Sequence, residues 1–219
     1  MMVADRQSNR RGWRILIAGT GGQGVLTAAS LLCECFAERG HDVVSGQLHG
    51  MAQRGGAVQS SVIIDGGISP RIADGRADVV LGFEPVETVR ALPFMSLQTT
   101  VYMNTAPVIP FVLALQAAFE KNGGEYPNIG ELTGAVRRAT GRLLELDATS
   151  CAAEAGSGKS LNMVMLGCLL GSDLLPCTAD DFADFLAGRL PRTLVEMNLR
   201  AFRRGVEVAR ETSIRGGVG

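Results

Sequence analysis

Three glycines near the start of the chain have the spacing of a nucleotide-binding turn. Gly19, Gly21 and Gly24 satisfy G-x-G-x-x-G directly after an apolar run, which predicts a short buried strand over residues 14–18. Residues 25–35 are rich in alanine and leucine and predict a helix. Glycines let the backbone bend sharply, and the unpaired N–H groups of a helix N-terminus favour an anion. The pattern therefore predicts a binding turn.

The residues after the second predicted strand bear on whether that turn holds a dinucleotide. The strand covers residues 42–46, and a dinucleotide-binding domain would place Asp or Glu at its end to hold a ribose hydroxyl. Residues 45–49 are instead Ser, Gly, Gln, Leu and His, and Asp42 lies at the opposite end of the strand. This counts against NAD, although a free-standing dinucleotide-dependent oxidoreductase stays as the alternative.

A glycine-rich polar segment follows, Q-L-H-G-M-A-Q-R-G-G over residues 47–56. It has neither helical nor strand periodicity, so we predict a loop. Polar groups on such a loop suit contact with an anion or with another subunit, and the candidates are His49, Gln53, Arg54 and Gly55. The alternative is that these side chains only satisfy carbonyl groups at the edge of a strand.

Other polar candidates stand where predicted strands end and helices begin. Glu84 follows a buried strand over residues 78–83 and precedes Pro85, which is favoured at the first position of a helix. Open α/β sheets bind ligands at this edge, but Glu84 could equally be an ordinary helix cap. Asn104 ends a strand over residues 99–104, and Asn162 opens an apolar helix over residues 161–170, where it caps or contacts a loop.

A further glycine-containing segment, A-G-S-G-K-S at residues 155–160, looks like the end of a phosphate-binding P-loop. That motif requires a glycine at position 153, where this chain has alanine, and the preceding strand ends near residue 148. Nucleotide hydrolysis is therefore not expected.

The order of the elements predicts an α/β fold. Residues 57–64 follow their predecessor closely enough to form a hairpin, and the strand over residues 142–148 is separated from the previous strand by helical segments. A capping box at Thr178 starts a helix, and a last helix covers residues 193–211. We expect a three-layer, Rossmann-like open sheet, mostly parallel with an antiparallel portion. It would form a single domain over residues 13–212, with flexible tails at 1–12 and 213–219.

Composition excludes several functional classes. A net charge of −1 gives no electrostatic footprint for nucleic acid. Residues 1–12 lack the apolar core typical of a signal peptide, and no run of 18 apolar residues occurs, so we expect a cytoplasmic protein without membrane contact. The five cysteines lack C-x-x-C spacing, which argues against an iron–sulfur or zinc site in this chain.

Taken together, the motifs resemble a known family. They are G-T-G-G-Q-G at 19–24, H-G-M-A-Q-R-G-G at 49–56, F-E-P-V-E at 83–87, N-T-A-P from 104, E-A-G with a following asparagine at 154–162, and M-N-L-R-A-F near the end. Their order over residues 13–212 is similar to that of the small (beta) subunit of indolepyruvate ferredoxin oxidoreductase. This subunit corresponds to the gamma subunit or domain of the 2-oxoacid:ferredoxin oxidoreductases.

The resemblance implies a subunit that is not active alone. The implied reaction is CoA-dependent oxidative decarboxylation of an aryl 2-oxoacid to an acyl-CoA, CO₂ and reduced ferredoxin. Thiamine diphosphate and the iron–sulfur clusters are expected on the large (alpha) subunit, with no cofactor or metal on this chain and with ferredoxin reached through the complex. The residue patterns described above, rather than the resemblance, predict the residues that bind the ligand or the partner: Gly19, Gly21, Gly22, Gln23, Gly24, His49, Gln53, Arg54, Gly55, Glu84, Asn104 and Asn162.

Overall fold

The computed structural model describes residues 12–49, 56–108 and 126–216. The strands are β1 (Trp13–Thr20), β2 (Val43–His49), β3 (Ala57–Ile64), β4 (Val79–Gly82), β5 (Thr100–Asn104) and β6 (Arg142–Leu146). The α-helices in these ranges are α1 (Val25–Glu38), α2 (Pro85–Arg90), α3 (Ile129–Ala139), α4 (Ala148–Glu154), α5 (Leu161–Leu170), α6 (Ala179–Arg189) and α7 (Arg192–Gly216). Short 3₁₀ turns cover Leu92–Phe94 and Gly158–Ser160.

The six strands form one mixed sheet in the order β2-β3-β1-β4-β5-β6. Strands β1, β4, β5 and β6 pair in parallel, whereas β3 is antiparallel to both of its neighbours, β1 and β2. The predicted hairpin is thus confirmed as an antiparallel β2–β3 pair. The parallel part brings the carboxyl ends of β1, β4 and β5 to one edge of the sheet, which we call the carboxyl edge.

Helices cover both faces of the sheet. On one face, alternate residues such as Ile15 and Ile17 of β1 pack in a core with side chains of α1, α5, α6 and α7. On the other face, Leu16 and Ala18 pack with Val80, Val101 and residues of α2 and α3. The predicted three-layer α/β fold with a mixed sheet is confirmed.

Helices α5 and α7 cross in close backbone contact. A Cβ added to Gly167 of α5 would lie 2.0 Å from the carbonyl oxygen of Phe202, and one added to Gly205 of α7 would lie 2.0 Å from that of Val164. The two glycines therefore allow the helices to approach more closely than side chains would permit. All ten residues of α5 are buried as a result of this contact and its packing on the sheet.

Several element boundaries differ from those predicted. Strand β2 runs to His49, so residues 47–49 are not loop as predicted, because they continue the ladder with Val58, Gln59 and Ser60 of β3. Strand β6 ends at Leu146 because the Asp147 side chain caps α4 at the next residue. Helix α7 continues to Gly216, so residues 213–216, predicted as part of a flexible tail, are helical. Residues 1–11 and 217–219 lie outside the described residues.

Candidate functional site

The glycine turn joins the end of β1 to the start of α1 at the carboxyl edge. Gly22 has φ 101° and Gly24, the N-cap of α1, has φ 81°, a conformation that residues with a side chain rarely adopt. The N–H group of Gly21 donates to the carbonyl of Gly56, 2.9 Å away. Gly19 is needed for a different reason, since a Cβ there would lie 2.9 Å from Cβ of Phe83. The turn therefore lies against the residues that directly precede β3 and directly follow β4.

Two predicted site residues, Gln23 and Asn104, hold the carboxyl edge together. The Gln23 Nε2 donates to the Phe83 carbonyl at 2.8 Å, while its Oε1 accepts from the Thr20 N–H at 2.8 Å. Asn104 Nδ2 donates to the same Phe83 carbonyl at 2.9 Å, and its Oδ1 accepts from the Ala148 N–H at 3.0 Å. Because these amide groups already have internal partners, the structure gives both residues a positioning role.

Glu84 is a helix cap, the second of its two predicted interpretations. It is only 2% exposed, and its Oε2 accepts from the backbone N–H of Glu87 at 3.0 Å. Its Oε1 accepts a hydrogen bond from the Tyr126 hydroxyl. Burial raises the pKa of Tyr126, and the bond to the Glu84 carboxylate raises it further, so the phenol keeps its proton at neutral pH.

Sequence reasoning missed the neighbouring residues Thr20 and Glu87. Glu87 is 4% exposed, and its Oε1 accepts from Arg90 Nη1 at 2.6 Å. Among the described residues, the Glu87 Oε2 and the Thr20 hydroxyl have no hydrogen-bond partner. Burial raises the pKa of Glu87. Its position three residues after Glu84, in the first turn of α2, was the only signal in the sequence.

Asn162 contacts the glycine turn from α5. It is 6% exposed, and a Cβ added to Gly24 would lie 2.8 Å from its Nδ2. The Oδ1 accepts from the Met163 N–H at 3.0 Å, and within the described residues Nδ2 donates no hydrogen bond. Helix α1 begins there without a side-chain cap and without an acidic residue in its first turn. Backbone and amide donors therefore converge at the start of α1, where they can bind an anion or a carbonyl group.

The segment that resembles a P-loop does not fold as one. Residues 158–160 form a 3₁₀ turn, and the Ser157 hydroxyl accepts from the backbone N–H of Lys159 at 3.2 Å. Lys159 is exposed and precedes Asn162 by three residues. The segment therefore forms no phosphate cradle.

The remaining predicted residues are His49, the last residue of β2, and three residues of the segment that follows it. The backbones of His49 and Gly19 are both register partners of Val58, so His49 lies at the same edge of the sheet, two strand spacings or roughly 10 Å away. Gln53, Arg54 and Gly55 lie outside the described residues.

Two structural findings bear on cofactors. Strand β3 lies between β1 and β2, so β2 is not adjacent to the glycine turn as it is in a dinucleotide-binding Rossmann domain. In the described ranges, no three His, Cys, Asp or Glu residues are grouped so that they could hold a metal ion. Within the same ranges, no helix has the length and apolar character needed to cross a membrane.

Comparison with known proteins identifies the family. The family model of pyruvate ferredoxin/flavodoxin oxidoreductase matches residues 14–208, which is most of the chain. The chain belongs to this family. This chain is a subunit of a 2-oxoacid:ferredoxin oxidoreductase, as the sequence motifs predicted.

Individual relatives agree with this assignment. The indolepyruvate oxidoreductase subunit IorB of Methanothermobacter thermautotrophicus is 36% identical over 200 residues, covering 91% of this chain and 99% of that protein. The gamma subunit of a keto/oxoacid ferredoxin oxidoreductase from Geobacter sulfurreducens shares the fold with a TM-score of 0.64 at 20% identity, covering 91% of this chain and 99% of the other. A 2-oxoglutarate:ferredoxin oxidoreductase from Magnetococcus marinus has a TM-score of 0.68 at 18% identity, and the match covers 93% of this chain and 32% of that longer one.

Proposed function

We propose that this chain is the small subunit of an oxidoreductase acting on indolepyruvate or a related aryl 2-oxoacid. The observation that carries the proposal is the 36% identity to an indolepyruvate oxidoreductase subunit over nearly its full length. The reaction is oxidative decarboxylation of the oxoacid with coenzyme A, which gives an acyl-CoA, CO₂ and reduced ferredoxin.

In this proposal the cofactors belong to the partner. A large subunit carries thiamine diphosphate and the iron–sulfur clusters, which supply the carbanion and electron-transfer chemistry. The present chain binds none of them, and it shapes and closes the site from outside. Ferredoxin meets the complex through the large subunit, and the complex is cytoplasmic.

The surface proposed to meet the partner or coenzyme A is the carboxyl edge around the glycine turn. Among the described residues, its donors without a side-chain partner are the first N–H groups of α1 and the Nδ2 of Asn162, and the exposed Lys159 precedes Asn162 by three residues. Gln23, Glu84 and Asn104 have internal partners, so their part is to hold this surface in shape. Fixed donors suit carboxylate, carbonyl or phosphate groups because they need no reorganisation on binding.

The decisive experiment is co-production with a thiamine- and cluster-bearing large subunit. Under anaerobic conditions, the purified complex should reduce viologen dye with indolepyruvate and coenzyme A, and this chain alone should not. A chain that forms no complex with such a partner contradicts the subunit role. A complex that is active with pyruvate or 2-oxoglutarate but inert towards indolepyruvate contradicts only the proposed substrate.

The alternative is a free-standing dinucleotide-dependent oxidoreductase, which the G-x-G-x-x-G match favours. The insertion of β3 between β1 and β2, and the absence of an acidic residue in β2, disfavour it. Titration of the isolated chain with NAD(H), NADP(H) and FAD separates the two proposals. Binding at micromolar concentrations would support the alternative, and no binding up to millimolar concentrations would remove it.

A further inference from the structure

Two cysteine thiols that are far apart in the sequence are in contact, one in α1 and the other in the loop that precedes α6. Cys35, in the last turns of α1, lies with its Sγ 3.8 Å from the Sγ of Cys177, which directly precedes the capping residue of α6. Disulfide formation requires sulfurs about 2.05 Å apart, so these two need to approach by only ~1.8 Å. Within the described residues, which include all five cysteines, this is the one pair joined by a hydrogen-bond contact.

A guanidinium group lies against one of these sulfurs. Arg39 Nη1 is 3.0 Å from the Cys35 Sγ, and Nη2 donates to the Asp181 carbonyl at 2.7 Å, which fixes the side chain between α1 and α6. A cation beside a thiol favours the thiolate, which is the form that reacts with oxidants. The contact with Cys35 lowers the pKa of Cys177, burial opposes this effect, and the Arg39 charge lowers the pKa further.

Both thiols are buried, and Cys35 is 0% exposed, but the chain on either side of Cys177 reaches the surface. Cys177 is 2% exposed, while its neighbours Pro176 and Thr178 are both exposed. A small displacement of this loop would admit a molecule the size of a peroxide. The more accessible thiols, Cys33 and Cys151, are half-buried, and burial raises the pKa of each, which makes them less nucleophilic at neutral pH.

We propose that Cys35 and Cys177 are a reversible oxidation site, forming a disulfide when the chain meets a hydroperoxide. One thiol of the pair attacks the peroxide as its thiolate and breaks the O–O bond, giving a sulfenic acid and, from hydrogen peroxide, one water after protonation. The other thiol then displaces the sulfenic oxygen, which leaves as a second water while the S–S bond forms. Two thiols lose two electrons and two protons in total, and a dithiol reductant reverses the change. The inference does not rest on the proposed function.

The test is peptide mapping of the full-length wild-type chain. The chain is prepared reduced under anaerobic conditions, exposed to a small molar excess of hydrogen peroxide, blocked with an alkylating agent and digested without reductant. We expect a linked peptide containing Cys35 and Cys177 as the first product, and its disappearance after treatment with dithiothreitol. First oxidation at Cys33 or Cys151, a link between other cysteines, or sulfinic acid at Cys177 without a link would each overturn the proposal.

Matched variants test the contribution of each group. Cys35→Ser and Cys177→Ser should each abolish the link, whereas Cys33→Ser, on the same helix, should leave it unchanged. Arg39→Gln should slow link formation several-fold, because the thiolate loses its neighbouring cation. Arg189→Gln, which removes an arginine that pairs with Glu34 of α1, should not change the rate. Equal rates for wild type and Arg39→Gln would contradict the role given to the guanidinium. Because the wild-type map is itself decisive, the test survives if a variant fails to fold.

Discussion

At the scale of single residues, the carboxyl edge is held by polar groups that satisfy one another. The Phe83 carbonyl accepts from both Gln23 and Asn104, so one oxygen connects the ends of β1, β4 and β5. Buried polar groups with partners stabilise one geometry, whereas a buried group without a partner costs free energy. The Thr20 hydroxyl and one carboxylate oxygen of Glu87 are buried at this edge without a partner among the described residues, and Glu87 is the exception that titrates.

This exception predicts a pH dependence of stability. Burial raises the pKa of Glu87 above its ordinary value of 4.5, so the folded state binds the proton more tightly than the unfolded state does. The contribution of the protonated Glu87 carboxyl to the unfolding free energy is fully present below pH 4.5, and it is lost as the pH rises through the raised pKa. Glu87→Gln removes the buried charge, so at pH 7 the variant should exceed wild type by roughly 1 kcal/mol in unfolding free energy.

Urea unfolding between pH 4 and pH 8 measures this effect. The advantage of Glu87→Gln should shrink towards pH 4, where the wild-type carboxyl is also neutral. Loss of the ion pair with Arg90 should reduce this gain in unfolding free energy only slightly, because the Arg90 side chain is 60% exposed. Glu154→Gln, an exposed substitution, is the matched control and should change stability little at either pH. A Glu87→Gln chain less stable than wild type throughout would show that the carboxylate is stabilised in the fold.

At the scale of elements, the α5–α7 crossing depends on the absence of side chains at two positions. A Cβ on Gly205 would lie 2.0 Å from the Val164 carbonyl oxygen, a backbone atom that cannot rotate away. Gly205→Ala should therefore force the helices apart and lower the unfolding free energy by about 2–3 kcal/mol. Gly188→Ala in α6 is the matched control, because nothing lies within 4 Å of its Cβ position.

The change from glycine to alanine should thus lower the unfolding free energy in α7 and raise it in α6. Gly188→Ala is expected to raise the unfolding free energy by up to about 1 kcal/mol, since alanine restricts the unfolded chain and favours helix. Thermal and chemical unfolding of both variants measures the difference. Equal effects at the two positions would mean that the close crossing is absent in solution.

The elements also show how far the sequence predicts this fold. The apolar runs of β1, β4 and β5 and the capping box at Thr178 carry local signals, and the structure has a strand or a helix at each. The end of β2 was misplaced because residues 47–49 are held in the sheet by β3, a contact between strands that no local pattern records. The position of β3 between β1 and β2 likewise depends on which strand edges pair in the folded chain.

The candidate site was predicted less completely than the fold. Glycine spacing located the turn, and the ends of strands located Glu84 and Asn104. Whether a polar side chain faces a ligand or an internal partner depends on neighbours from distant parts of the chain, such as the Phe83 carbonyl for Gln23 and Asn104. For the same reason, the contact of Asn162 with Gly24 could be anticipated only as a contact with a loop.

At the scale of the whole molecule, helices α5 and α7 lie side by side, and the two ends of this pair lie at two different surfaces. Ser160, before α5, contacts Asn198 in α7, whereas Gly171, after α5, lies against Val206. Lys159 is therefore at the end of the helix pair where Asn162 contacts Gly24, and Arg210 is displaced towards the other end. Both residues are exposed, which makes them a matched pair for testing which surface meets the large subunit.

If the carboxyl edge docks the partner, Lys159→Glu should weaken the complex and Arg210→Glu should not. Each replaces a positive charge with a negative one, so the two variants alter net charge equally. We expect about a tenfold rise in the dissociation constant for Lys159→Glu, mainly through slower association and most visibly at low salt.

Anaerobic binding kinetics at two ionic strengths measure this change in the dissociation constant, and an unchanged melting temperature confirms that both variant chains fold. Unchanged assembly with a raised KM for coenzyme A would assign the edge to that substrate instead. Equal behaviour of the two variants in both assays would place the docking surface elsewhere on the molecule.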